Sequence, residues 1–321
     1  MNILRTLSLP LLTLLIVGAH AASAQESIDE SRDVAPNERI ELDVMRGEVR
    51  IRPAQQNVFR VRGTLDEEAE GFSLESSGGS TRFSVDLPRS AGRWGDGRDV
   101  ESPSDLDIEL PAGATLEFHG VSTQVTVTGI AGGSEITSVN GRIEVSDLGE
   151  RVILSTVNGS IRSNGVSGQL TVSSVNGDIE DSGSRGRVEY SSVNGSIRAT
   201  SSAQEVTLES VNGDAALQLE GTAQLSLETV NGDFDITLTQ SSAPRVQGSS
   251  VSGNLRLALD GTPDVRVALE THSGDISNGI SADAASGERF GPRKSLHVTF
   301  GQGSGLIELR SISGDLGLTR P

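Results

Sequence analysis

Ser174-Val175-Asn176-Gly177-Asp178-Ile179 sets the architecture of this chain, because its core word returns at a fixed interval. Ser/Thr-Val-Asn-Gly recurs with its asparagine at Asn140, Asn158, Asn176, Asn194, Asn212 and Asn231. Glycine follows each time, at Gly141, Gly159, Gly177, Gly195, Gly213 and Gly232. The interval is 18 residues four times and then 19. Degenerate copies continue at Val251-Ser252-Gly253, His272-Ser273-Gly274 and Ile312-Ser313-Gly314. Upstream, Ser122 lies 18 residues before Asn140, and Met45-Arg46-Gly47-Glu48-Val49 reads as an isolated early copy. A unit this short cannot bury its own apolar face, so it is expected to stack on its neighbours.

The units share one grammar. Apolar residues recur six and four positions before the asparagine, as in Val152 and Leu154, Leu170 and Val172, Val206 and Leu208, and Leu225 and Leu227. That alternation describes a half-buried strand. Ser/Thr-Val breaks it, Asn-Gly turns the chain, and an apolar residue follows three positions on, from Ile143, Ile161, Ile179 and Ile197 to Leu316. Glycine suits a left-handed backbone at such a turn, and asparagine tolerates one.

Two architectures produce this pattern: a meander of hairpins turning at Asn-Gly, or a solenoid whose coils stack about 4.8 Å apart. The charges favour the solenoid. Four residues after successive asparagines stand Glu144, Arg162, Glu180 and Arg198, which a parallel stack turns into a ladder of alternating sign. In a meander the alternation has no purpose. Each exposed pair contributes only about 0.2–1 kcal/mol, so the ladder specifies register more than it stabilises. The like-charged neighbours Asp214 with Asp233 and Glu209 with Glu228 are its flaws.

The reading is therefore an all-β β-solenoid with coils of about 18 residues. Residues 25–110 are expected to form an irregular N-terminal β cap, with strands at Ile40–Val44, Val58–Val61, Phe83–Leu87 and Leu106–Leu110. Residues 111–321 form the array and a C-terminal cap. Arg89 to Ser104 is polar and carries glycine and proline, and reads as a loop.

Residues 1–24 have the layout of a secretory signal peptide: Arg5, an apolar stretch from Leu7 to Val17, then Ala22-Ser23-Ala24 before Gln25. The chain is expected to be exported to the periplasm or cell surface, with no transmembrane segment after cleavage. Removing that segment moves the formal charge from −18 to −19 through the loss of Arg5. Such a chain is repelled by nucleic acid and anionic lipid, which leaves an envelope protein, a glycan or another copy of itself as the expected partner. There is no cysteine, so neither a lipidated cysteine nor a disulfide is available. Aromatics are 3% of residues, and stacked aliphatic columns must supply the core.

No catalytic or cofactor-binding residue is assigned. His119, His272 and His297 match no zinc spacing, and no nucleophile elbow or phosphate loop stands out. A carbohydrate-active β-helix enzyme is the alternative, and it needs an acid/base pair in an aromatic-lined groove. Trp94, in Gly92-Arg93-Trp94-Gly95-Asp96-Gly97, is a candidate partner contact. Glu209, Asp214, Glu228, Asp233 and Asp235 are expected to converge on one edge of the stack, where carboxylates are candidate calcium ligands.

Val175-Asn176-Gly177-Asp178-Ile179 and Ile108-Glu109-Leu110-Pro111-Ala112-Gly113 together resemble a family of adhesin-type bacterial envelope proteins with β-helical Val-Asn-Gly-Asp-Ile repeats and no assigned function. The resemblance runs from about Glu38 onward, with a departure at Ala215-Ala216. It implies a β-helical fold and a surface or periplasmic role in adhesion or envelope-stress signalling. It transfers no catalytic residues.

Overall fold

A computed structural model describes residues 25–88, 102–241, 243–287 and 291–321. The expected signal segment and Trp94 lie outside the described residues. The fold is all-β. Among the described residues, twenty-six strands join one continuous hydrogen-bonded system, and most pairings are parallel.

Each repeat is one coil with a strand on either side of Asn-Gly. Arg151–Thr156 pairs in parallel with Ser134–Ser138 on one side and with Ser167–Ser174 on the other. Beyond the turn, Ile161–Asn164 pairs with Ile143–Ser146 and with Ile179–Ser192. Equivalent residues sit in register, so Ile143, Ile161, Ile179 and Ile197 form one column. The solenoid is thus the architecture, and Asn-Gly turns each strand onto a second ladder of the same coil, not back along itself as in a hairpin.

The core is a set of such columns. Val152, Leu170, Val188, Val206 and Leu225 form one, and Leu154, Val172, Tyr190, Leu208 and Leu227 another, all nearly solvent-free. Burial of an aliphatic chain is worth roughly 1.5–3 kcal/mol, so these columns dominate the stability. One polar cluster interrupts them. Asp181 is buried and accepts hydrogen bonds from Ser163 (2.5 Å), Ser184 (2.6 Å) and Tyr190 (2.6 Å).

Both ends depart from chain order. Arg39–Pro53 pairs with Thr115–Thr128 on one side, and with Ser80–Asp86 and Ser104–Leu110 on the other. The early Met45-Arg46-Gly47 copy therefore lies within the stack, with Arg46 in register with Ser122. At the other end, Gly305–Ser311 slides between Arg245–Ser250 and Val265–Thr271, so the last coil in sequence is not the last in space. Antiparallel strands are added at both ends: Val58–Thr64 on Ser104–Leu110, Ser27–Asp33 on Val58–Thr64, and Lys294–Thr299 on Val265–Thr271, while the second ladder of the far end finishes on the parallel strand Ile276–Asn278. Near the first end Arg46 makes a two-toothed contact with buried Asp66, at 2.9 and 3.0 Å. The outer strand Ser27–Asp33 carries Asp29, Glu30, Arg32 and Asp33, charges that discourage pairing with a further strand.

Candidate functional site

The word Ser/Thr-Val-Asn-Gly builds one long edge of the solenoid, and each of its four positions has its own task. The hydroxyl residue points inward: Ser138, Thr156, Ser174, Ser192, Ser210, Thr229 and Ser250 are buried. Its oxygen accepts the N–H of the glycine three residues on, at 2.9 Å for Ser174 with Gly177 and for Ser192 with Gly195. Several also donate to that glycine's carbonyl, as Ser192 does at 2.8 Å. A buried hydroxyl with both capacities used costs little to desolvate.

The valine therefore faces out. Strand alternation continues through the word, with the polarity reversed: hydroxyl in, aliphatic out. Val157, Val175, Val193, Val211, Val230, Val251 and Ile312 are 37 to 55% exposed and stand in one column. Met45 is exposed likewise.

Beside the valines runs an amide ladder. Asn158 Nδ2 donates to Asn140 Oδ1, Asn176 to Asn158, and Asn194 to Asn176, each at 2.8 Å. Asn212 continues it to Asn194 at 3.1 Å, and Asn231 to Asn212 at 3.0 Å. Stacked identical amides in register are a known device of parallel β assemblies.

The glycine is required for a different reason from the one the turn suggests. None of Gly141, Gly159, Gly177, Gly195, Gly213 or Gly232 is among the positive-φ residues. Instead a Cβ on Gly177 would lie 1.7 Å from the carbonyl oxygen of Gly159 one coil below. The turn brings successive backbones too close together for any side chain.

On the second ladder Arg162 pairs with Glu144 (3.5 Å) and Glu180 (2.7 Å), and Arg198 lies in register with Glu180 while donating to Ser196. A shallow groove of about 420 Å³ runs there between Glu144, Arg162 and Glu180 and the outer column Ser146, Asn164 and Ser182.

The five candidate calcium ligands do not gather into one group. Glu209 and Glu228 are register neighbours on one ladder, Asp235 sits across the Asn-Gly turn on the other and pairs with Arg256 at 3.3 Å, and Asp214 and Asp233 lie at the turn itself. The turn keeps the two ladders apart, which sequence position alone conceals. Asp233 N–H donates to Asp214 Oδ1 and Asn254 N–H to Asp233 Oδ1, both at 3.0 Å. Asp178 likewise accepts the Ser196 hydroxyl and N–H, which hold its carboxyl below the usual range. Among the described residues no group of three or more His, Asp or Glu is arranged to hold a metal. His119 contacts Glu117 at 3.1 Å, His272 is exposed in the valine column, and His297 is on the Lys294–Thr299 strand. Among the described residues no helix is long and apolar enough to cross a membrane.

The exposed valines are not evident from the apolar pattern of the sequence, although the break in alternation at Ser/Thr-Val is their signal: a buried hydroxyl position puts the next residue outside.

Among solved structures the chain is similar to a "putative cell adhesion protein" from Clostridium sporogenes ATCC 15579. Identity is 10% over 92% of this chain and 100% of that one, with a TM-score of 0.23. No curated protein matches. The family model described as Toastrack DUF4097 matches residues 37–319, which takes in the whole coil stack. The chain belongs to the Toastrack DUF4097 family.

Proposed function

We propose that this chain is an exported, non-catalytic scaffold of the bacterial envelope that binds or assembles through the long edge carrying its valine and asparagine columns. The observation that carries this reading is the column itself. Seven aliphatic side chains at 37 to 55% exposure are aligned along one edge of a rigid stack. Contiguous exposed apolar surface on a soluble chain marks a place where something docks. The amide ladder beside it offers donors and acceptors at a regular spacing of about 4.8 Å, suited to a flat or periodic partner such as an envelope protein or a glycan. Family membership from residue 37 onward agrees with a scaffold role, since the motifs that define the chain are structural.

The test is co-sedimentation of the chain from Gln25 onward with isolated bacterial sacculi and with outer-membrane vesicles. Retention on either fraction, reduced severalfold by V175E, is the expected result. Absence of binding to both, together with release of reducing ends from envelope polysaccharide, would replace the scaffold with an enzyme. Expression of the whole chain followed by cell fractionation and N-terminal mass analysis checks export, with Gln25 as the expected first residue.

A further inference from the structure

We infer that Asn140 is a site of spontaneous covalent modification. Its side-chain amide is converted to a carboxylate through a cyclic imide with Gly141, while the ladder protects the asparagines stacked beyond it. The inference stands apart from the scaffold reading and needs only the folded chain.

Asn-Gly is a chemically fragile pair, because glycine has no Cβ to keep its nitrogen away from the preceding side chain. In the reaction the Gly141 nitrogen gives its proton to solvent base and attacks Asn140 Cγ. The N–Cγ bond forms, the Cγ–Nδ2 bond breaks, and Nδ2 takes a proton from water and leaves as ammonia. Water then opens the imide ring. Cleavage at Cγ gives aspartate, and cleavage at the main-chain carbonyl carbon gives isoaspartate.

Two guards oppose this at each Ser/Thr-Val-Asn-Gly word. The first is the buried hydroxyl, which accepts the glycine N–H and so resists loss of its proton. That bond is 2.9 Å at Gly177 and Gly195, and 3.0 Å at Gly159, Gly213 and Gly232. At Gly141 it is 3.2 Å, the longest of the series. The second guard is the ladder. Asn158, Asn176, Asn194, Asn212 and Asn231 each have Nδ2, the leaving group, bonded to the oxygen of the preceding asparagine. Among the described residues Nδ2 of Asn140 has no such bond, because Ser122 and not an amide stands 18 residues before it. Only the Asn158 bond to its Oδ1 restrains it. Asn140 also borders an open basin of about 890 Å³, which gives water access to the imide.

The product fits best at this position. A carboxylate at position 140 still accepts the Asn158 Nδ2 bond, whereas at the later positions it would face the oxygen of the preceding amide. Its new charge falls in a basin shared by Arg46, Glu48, Asp105 and Arg142. The remaining Asn-Gly pairs, Asn164-Gly165 and Asn278-Gly279, are guarded by the main chain instead. Gly165 N–H donates to the Ser182 carbonyl at 2.8 Å and Gly279 N–H to the Leu318 carbonyl at 2.7 Å.

The test is to age the folded chain in mildly alkaline heavy-oxygen water and weigh its proteolytic peptides at intervals. Heavy oxygen marks only the carboxyls formed during ageing, and chromatography separates aspartate from isoaspartate. Asn140 is expected to convert at least fivefold faster than Asn158, Asn176 or Asn194. Chain held unfolded in urea should lose this ranking, with every Asn-Gly pair converting at a similar rate. N158A supplies a second arm. It removes the bond to Asn140 Oδ1 and leaves Asn176 at the start of an interrupted ladder. Both Asn140 and Asn176 should then convert severalfold faster than in the wild type, with Asn212 unchanged. Equal rates along the folded repeat, a faster site elsewhere, an Asn140 lead that persists in urea, or an Asn176 rate untouched by N158A overturns the inference. The wild-type ranking decides alone if N158A folds poorly.

Discussion

Asn194 Nδ2 donates to Asn176 Oδ1 at 2.8 Å, and the side chains that make this bond are one coil, 18 residues, apart. Asn176 in turn donates to Asn158, so it is both rung and relay. N176A breaks two such bonds, yet leaves the orphaned groups open to water. The expected loss is about 0.5–1.5 kcal/mol, the net worth of a typical hydrogen bond. N140A breaks one bond at the end of the ladder and should cost about half as much. N176D keeps the acceptor for Asn194 but sets a carboxylate against the Asn158 oxygen. Its deficit should therefore shrink as pH falls below about 4, where the new carboxyl takes up a proton and can donate again. Denaturant titration of the three variants at neutral and acid pH measures this order, and equal losses throughout would show the ladder to be ornamental.

Two glycines separate crowding from backbone conformation. At Gly177 the obstacle is the Gly159 carbonyl oxygen, 1.7 Å from where an alanine Cβ would stand, while φ is ordinary. At Gly221 nothing lies within 4 Å, but φ is +66°. G177A must push two coils apart and is expected to cost more than about 3 kcal/mol, beyond the usual ~1–3 kcal/mol of overpacking because the obstacle is backbone and not a side chain that can move aside. G221A has only its own left-handed backbone to accommodate and should cost about 1 kcal/mol. Chemical denaturation of both proteins checks the ranking. If G221A is the worse variant, conformation and not coil spacing is what fixes glycine in the repeat.

The register of this fold is legible in the sequence because the repeat is long and nearly invariant. The placement of Glu144, Arg162, Glu180 and Arg198 in one column follows from the period once coils stack in parallel, as the alternation of their charges argues, and the structure has them there. What the period hides is direction. Ser174 and Val175 look like a polar-then-apolar pair whose apolar member should be inside, and only the glycine N–H waiting for the Ser174 hydroxyl reverses them. The threading of Gly305–Ser311 between two earlier strands is likewise invisible, since every coil carries the same word and any order of stacking satisfies the local pattern. The acids fail to converge for a related reason. Glu228 and Asp235 are seven residues apart in sequence, but the turn between them sends them to different ladders.

Tyr190 is the sole tyrosine of the chain, so its ionisation can be read without interference. It is fully buried and donates to Asp181 at 2.6 Å. Burial, with the Asp181 charge and hydrogen bond, pushes the phenol well above its ordinary value. A group whose folded pKa is raised contributes stability that is intact below the unfolded value, near 10, and is lost as pH climbs from there toward the folded one. The chain should accordingly weaken only above about pH 10, and the phenolate absorbance band should appear together with unfolding. Y190F removes the titration but leaves Asp181 with its two serine donors, at an expected cost of about 1–3 kcal/mol at neutral pH. Phenolate absorbance developing near pH 10 while the circular dichroism of the strands is unchanged would mean that the ring is not sealed in the core.

Glu209 and Glu228 are register neighbours, and the positions in register beyond them are Ser191 and Ser249, so no cation sits in that column next to either. Like charges directly across a ladder are unfavourable by some tenths of a kcal/mol, up to about 1. E228Q should raise stability by that amount, and the gain should fade as salt screens the wild-type repulsion. D233N makes a contrasting pair. Asp233 Oδ1 accepts both the Asn254 N–H (3.0 Å) and Asn254 Nδ2 (2.9 Å), bonds an amide oxygen can keep, as Asn254 itself accepts the Asp315 N–H at 2.8 Å. Only the longer Asn254 Nδ2 bond to Oδ2 (3.1 Å) is given up. Stability of D233N is therefore expected to stay within about 0.5 kcal/mol of wild type, the usual range for a surface change that keeps its main contacts. Millimolar calcium discriminates further. With Asp214 and Asp233 engaged by backbone N–H groups and Asp235 by Arg256, the melting temperature should not respond to calcium or to chelator in any of the three proteins. A rise in the wild type that D233N or E228Q abolishes would instead show that these carboxylates turn outward to share a cation.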